Sequence, residues 1–323
     1  MQITWKKILA LAATVILILY GVSIWWSSEP DVLEPEVLNT ETGEIITGYA
    51  TTSALINTLD TLLSKPGGWL SNDVAPPSVL MDNMPAFEFG ALEQARDLAL
   101  IMRKEFSRSQ SQSTADNDLF EAHSKLNIAH SNWLIPSAES QYSDAIKLLK
   151  LYRARIADSH NQNAQFYARA DNLNEWLKEV QKRLGSMSQR LSASVGQDRL
   201  NTDLAGDTAA RQSTPNLASQ HIKTGWWQID DVFYEARGSC WALLNFMRAV
   251  EVDFADVLKK KNAEVSLRQI IRELESTQQT VWSPMILNGS GFGLVANHSL
   301  VMANYVSRAN AAVIDLTNLL SQG

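Results

Sequence analysis

The stretch YSDAIKLLKLYRARIADSHNQNAQFYARADNLNEWLKEVQKRLGSMSQRL, Tyr142 to Leu191, decides the fold class. Within it Tyr142, Ala145, Leu149, Tyr152, Ile156, Ser159, Asn163, Phe166, Ala170, Leu173, Leu177, Val180, Leu184, Met187 and Leu191 alternate steps of three and four without a slip. Such spacing lays side chains along one face of a helix, and thirteen of the fifteen are apolar or aromatic. The expectation is one helix, or two in phase, of ~75 Å total length with coiled-coil-like packing. Ser159 and Asn163, in or beside the run SHNQN, mark either a polar layer or a break.

The same period recurs on both sides. Trp226, Ile229, Phe233, Ala236, Cys240, Leu243, Met247, Val250, Phe254 and Val257 form a second stripe, and Trp227, Tyr234, Gly238 and Trp241 add a second row to it. A helix apolar on two sides is expected at the centre of a bundle. Shorter stripes run through Leu55, Leu59 and Leu62, through Leu92, Ala95, Ala99, Met102 and Phe106, through Leu267, Ile270 and Leu274, and through Val301, Tyr305, Ala309, Ala312 and Leu316. Leu119 to Asn132 reads as another helix before Pro136. Lys65-Pro66-Gly67-Gly68 ends the first of these, and Trp69 to Gly90, with Pro76, Pro77 and Pro85, is expected to be an ordered loop over the core. Gly196 to Gly225 loses the period and reads as a linker or long exposed loop. With no sustained alternation of period two, the fold class is all-α, a helical bundle.

At the N-terminus, Lys6 and Lys7 precede an uncharged run from Ile8 to Trp26 that spans ~28 Å as a helix, close to the thickness of a bilayer core. The lysines lie before the run, and Glu29, Asp31, Glu34 and Glu36 follow it, so the positive-inside rule predicts a cytoplasmic N-terminus. A cleaved signal peptide has a shorter apolar run ending in a small-x-small site, whereas this one ends in Trp25-Trp26. The expectation is a retained single-pass anchor in the inner membrane, in contact with lipid through residues 8–26, with the bulk of the chain in the periplasm. The chain then divides into the anchor (1–26), an acidic tether (27–48), a helical region (49–195), the linker (196–225) and the remaining helices of the same bundle (226–323).

Composition fits a folded outer portion, with 45% hydrophobic and 20% charged residues. Beyond the anchor 26 basic residues face 35 acidic ones, so nothing forms a nucleic-acid footprint or a polybasic lipid-binding cluster. Cys240 is the only cysteine, which excludes an intrachain disulfide, and its place on a core stripe reads as a buried thiol. Asp230, Asp231 and Glu235 cluster where the central helix begins; paired carboxylates can serve as general acid and base, but in a first turn they also complement the helix dipole. Arg237 stands at no spacing that pairs it with them along the helix. His123 and His130 are ~10 Å apart by helical rise, too far to share a metal readily, and His298 reads as a core histidine. Gly289 to Gly293 lacks the lysine and preceding strand of a phosphate loop. No pattern calls for a cofactor or a metal.

Four stretches, KPGGWLSND (65–73), MDNMPAFEFG (81–90), FSRSQSQS (106–113) and WWQIDDVFYEARG (226–238), resemble a bacterial family of membrane-anchored proteins catalogued as domain of unknown function number 2333. The resemblance implies a bacterial envelope protein and carries over no catalytic residue. It also implies that the Trp69 loop and the SRSQSQS segment are ordered surfaces, which makes Trp69, Arg108 and Gln110 candidates for binding a partner. The function expected is a non-enzymatic scaffold or adaptor for envelope proteins. An envelope or cell-wall hydrolase using the acidic cluster is the alternative, and self-association through the heptads is a third reading.

Overall fold

A computed structural model describes residues 5–40, 43–108, 115–158, 163–200 and 219–322. It is an all-α protein: helices α1 (Trp5–Trp26), α2 (Tyr49–Ser64), α3 (Asn83–Ile101), α4 (Asn117–Leu126), α5 (Ala138–Ala157), α6 (Ala170–Ser192), α7 (Ile229–Asp253), α8 (Ala255–Lys260), α9 (Glu264–Thr277) and α10 (His298–Ser321). Two four-residue strands, β1 (Gln197–Leu200) and β2 (Ser219–Ile222), pair antiparallel inside the segment read as a linker.

The seam between α3 and α7 is the centre of the bundle. Phe87 lies against Gly238 and Trp241, Gly90 lies against Glu235 and Ser239, and Phe106 just beyond α3 meets Phe254 just beyond α7, so the two helices run in the same direction. Their backbones touch. A Cβ on Gly90 would stand 1.9 Å from the Glu235 carbonyl oxygen, and one on Gly238 would stand 2.0 Å from that of Phe87. Glycine weakens a helix by about 1 kcal/mol relative to alanine, and here that cost is offset by an approach no side chain permits. Gln94 also donates to Ser239 across the seam, 2.8 Å.

The long Tyr142–Leu191 row is not one helix. α5 ends at Ala157, Asp158 turns extended, and α6 begins at Ala170. α5 packs against α2 and α4, whereas α6 packs against α10, so the common phase reflects two independent buried stripes within one chain. Of the polar run, Ser159 lies outside the described residues and Asn163 is non-helical. The connection is nonetheless held in place: Phe166 packs on Phe106 and Phe254, and Tyr167 N–H donates to the Phe106 carbonyl.

Other boundaries also move. The proline-rich loop ends at Asp82, whose side chain caps Asn83, and Pro85 is accommodated in the first turn of α3, where a missing N–H costs nothing. α4 stops at Leu126 rather than Asn132. α7 starts only at Ile229; Trp226 and Trp227 form a 3-10 turn before it and are exposed. On α10 the buried stripe is Met302, Val306, Ala309, Val313 and Leu316, and Val301 faces solvent.

The segment read as a tether is laid along α7. Glu29 pairs with Arg237, the Asp31 carbonyl accepts from Trp241 Nε1, Leu33 N–H donates to Asn245 Oδ1, and Glu34 pairs with Arg248. Two extended residues advance ~6.6 Å and one helical turn ~5.4 Å, so Glu29, Asp31 and Leu33 each meet a new turn of the helix. At the opposite end of α7, Gly48 N–H donates to Asp253.

α1 has the length and apolarity of a membrane span or a signal sequence, with mean hydropathy 2.4 and no residue of that window buried. Its last residue, Trp26, packs against the bundle over Gly67, so α1 projects from the end of the bundle rather than lying on it.

Candidate functional site

Among the described residues nine helix termini converge where α1 enters: the C-termini of α1, α2, α4, α6 and α9 and the N-termini of α3, α5, α7 and α10. The links are explicit. Trp69 Nε1 donates to the His130 carbonyl and Asn72 to Asn132, tying the loop after α2 to the loop after α4. Arg237 donates to the carbonyls of Thr277 and Gln279 at the end of α9. Asn288 donates to Ser194 beyond α6, and Thr224 N–H to Ala193.

The inside of this end is polar. Glu88 of α3 is fully buried with Lys65, 2.7 Å away, and its carboxylate also accepts from Leu70 N–H, Ser71 N–H and the Ser71 hydroxyl. That one residue organises KPGGWLS. Arg237 is equally enclosed: it caps α9 and is neutralised by Glu29, which fastens the strap. Cys240 is buried one turn further on, and burial, opposed by Thr277 and Arg237, pushes its thiol up to about 12, which keeps it protonated.

The acidic cluster is drawn into this architecture. Glu235 makes a two-point ion pair with Arg190 of α6, and Asp230 accepts from Asp231 N–H. Asp231 is half-buried, and burial, with Asp82, Asp230 and Glu235 nearby, raises its carboxyl above the usual range. It borders a cleft of about 530 Å³ whose other walls include Gln189, Arg190, Lys223 and Thr224. A smaller cleft of about 190 Å³ lies between α7, α10 and the loop after α9, walled by Phe233, Val281, Trp282, His298, Met302 and Tyr305. His298 is half-buried there, its Nδ1 accepting from Leu287 N–H.

The remaining candidates scatter. Trp69 is buried edge-on against Tyr142, centroids 5.1 Å apart, so it is part of the core and offers no ring to a partner. Arg108 is half-buried beyond the π turn that follows α3, and Gln110 lies outside the described residues. His123 is on α4, whereas His130 lies beyond its end, its ring tilted against Phe89 with centroids 4.6 Å apart. Burial and the nearby Arg103, Lys104 and Arg96 hold the His123 imidazole down to about 4. Among the described residues no group of three or more His, Cys, Asp or Glu side chains could hold a metal ion.

Two features escaped the sequence reading. The strap had a signal: Arg237, Trp241, Asn245 and Arg248 step by four, four and three along α7, a polar row on an apolar helix that calls for a partner. The exposed apolar loops of this end (Leu80, Trp133 to Ile135, Trp226, Trp227, Trp282 and Phe292 to Val295) had only composition behind them.

No curated protein and no solved structure matches the chain. The bacterial family described as "Uncharacterized protein conserved in bacteria (DUF2333)" matches residues 1–323, the whole length, and the chain belongs to that family.

Proposed function

We propose that this is a single-pass inner-membrane protein, N-terminus cytoplasmic, whose periplasmic helical bundle positions other envelope proteins as a scaffold or adaptor. The observation that carries the reading is the continuous connection from α1 to the bundle: Trp26 packs on the bundle, Glu29 pairs with the buried Arg237, and the strap is bonded to successive turns of α7. A removable leader needs no such connection. A structural element held rigidly at the membrane does.

The test is in-membrane crosslinking and affinity purification of the full-length chain from its native host. A defined set of envelope proteins that purifies with the chain is the expected result; a chain that emerges alone sinks the scaffold reading.

A hydrolase is the second reading, favoured by the raised carboxyl of Asp231 beside the larger cleft. Asp230→Asn, Asp231→Asn and Glu235→Gln variants made at normal levels discriminate. Full complementation of a deletion phenotype removes the hydrolase.

A further inference from the structure

We propose that the end of the bundle from which α1 emerges is a bilayer-seating face. Its exposed loops enter the headgroup region of the leaflet in which α1 ends. The inference rests on the reading of α1 as a retained span.

The distribution of tryptophan carries it. Beyond α1 seven tryptophans remain; Trp69, Trp176 and Trp241 are buried, and the other four are exposed: Trp133 by 59%, Trp226 by 68%, Trp227 by 81% and Trp282 by 94%. All four lie in loops or turns at the anchor-bearing end: Trp133 in the loop tied to Asn72, Trp226 and Trp227 before α7, and Trp282 after the helix end capped by Arg237. They are joined there by Leu80, Leu134, Ile135, Met285, Phe292 and Leu294, each more than half exposed. In water such a collection is unfavourable, and scattered single residues are the norm for a soluble surface.

At this end Lys65, Glu88 and Arg237 are inside, while four of the indole rings are outside. Indole suits the bilayer interface, where its ring lies among acyl chains and its N–H reaches water or headgroups. α1 supplies the bilayer at this spot, with Trp25 exposed and Trp26 against the bundle. The strap leaves no slack to lift the bundle away. Because the chain beyond the anchor is acidic, contact is made by apolar insertion and not by attraction to anionic lipid, so it persists at high salt.

The test uses the full-length chain in vesicles of phosphatidylethanolamine and phosphatidylglycerol, with single cysteines carrying an environment-sensitive fluorophore. Cys240 is buried and stays unlabelled. Ile135→Cys, Trp282→Cys and Phe292→Cys report the loops, Val265→Cys on α9 is the aqueous control, and Leu17→Cys reports α1. The expected result is blue-shifted emission at the three loop positions, quenched by lipids brominated near the headgroup and unchanged at molar salt. Val265 stays unquenched, and Leu17 is quenched by lipids brominated deep in the chain. Leu17 in hydrocarbon with all three loops aqueous overturns the seating and leaves the anchor intact. Leu17 in water overturns the anchor and the seating with it. A blue shift insensitive to brominated lipid reports a protein contact, such as a second copy, and also overturns the proposal.

Discussion

The two ends of the bundle close differently. Far from α1, Phe106, Phe166 and Phe254 meet with centroids 5.0 to 5.9 Å apart, and Asp253 caps α2 through Gly48 N–H, Thr51 N–H and the Thr51 hydroxyl. Two of these rings are buried and Phe166 is packed against them, as expected of a surface in water. At the α1 end the Lys65–Glu88 pair and Arg237 are inside, and Trp133, Trp226, Trp227 and Trp282 are outside. Burying an ion pair is expensive unless hydrogen bonds complete it, and Glu88 has those bonds. The difference teaches that a helical bundle can leave a concentration of indoles uncovered at the end next to its apolar helix, which the proposed bilayer seating accounts for.

Substitutions at each end break or sharpen that contrast, measured by denaturation of the full chain in detergent. The largest loss is expected for Lys65→Ala, which leaves the Glu88 carboxylate buried without its cation and costs about 3–5 kcal/mol. A milder effect there would mean that the near end is held by its loops rather than by its charge pair. Phe254→Ala empties the centre of the far end and is expected to cost about 3 kcal/mol. Asp253→Ala removes the cap of α2 without opening a large cavity, for about 2 kcal/mol.

A pH dependence comes next. The folded state holds the His123 imidazole at about 4, below its unfolded value of about 6.5, so the neutral ring is favoured by folding. Its contribution is complete above pH 6.5 and is lost as pH falls toward 4. His123→Gln is therefore expected to flatten the fall in thermal midpoint across that window, and an unchanged slope refutes the assignment. The smallest effect belongs to Trp282→Ser, whose ring is 94% exposed: stability should move by less than about 0.5 kcal/mol. A larger loss would show that this indole serves the fold and not the surface.

Much of the helix inventory was legible because each buried stripe repeats with the period of the helix: Leu173 to Leu191 on α6 and Phe233 to Val250 on α7 read directly. The break after Ala157 was only half legible, since a connection that preserves phase looks like a helix that continues. Trp69 misled for a different reason. Its neighbours Gly67, Gly68 and Pro66 belong to a loop, yet a loop pinned by a buried carboxylate can carry a core residue. The acidic cluster was found at the right place, but its use was hidden: Arg190 is 45 residues from Glu235 in the chain.

By itself the sequence determined the class of fold, the apolar N-terminal helix and the family, because periodicity, length and motif are local properties of the chain. Only the tertiary structure decided that the acidic segment after α1 is a strap, that Gly90 and Gly238 join two helices, and that the exposed indoles gather at one end. Each of these depends on which distant residues meet, and no local period records that.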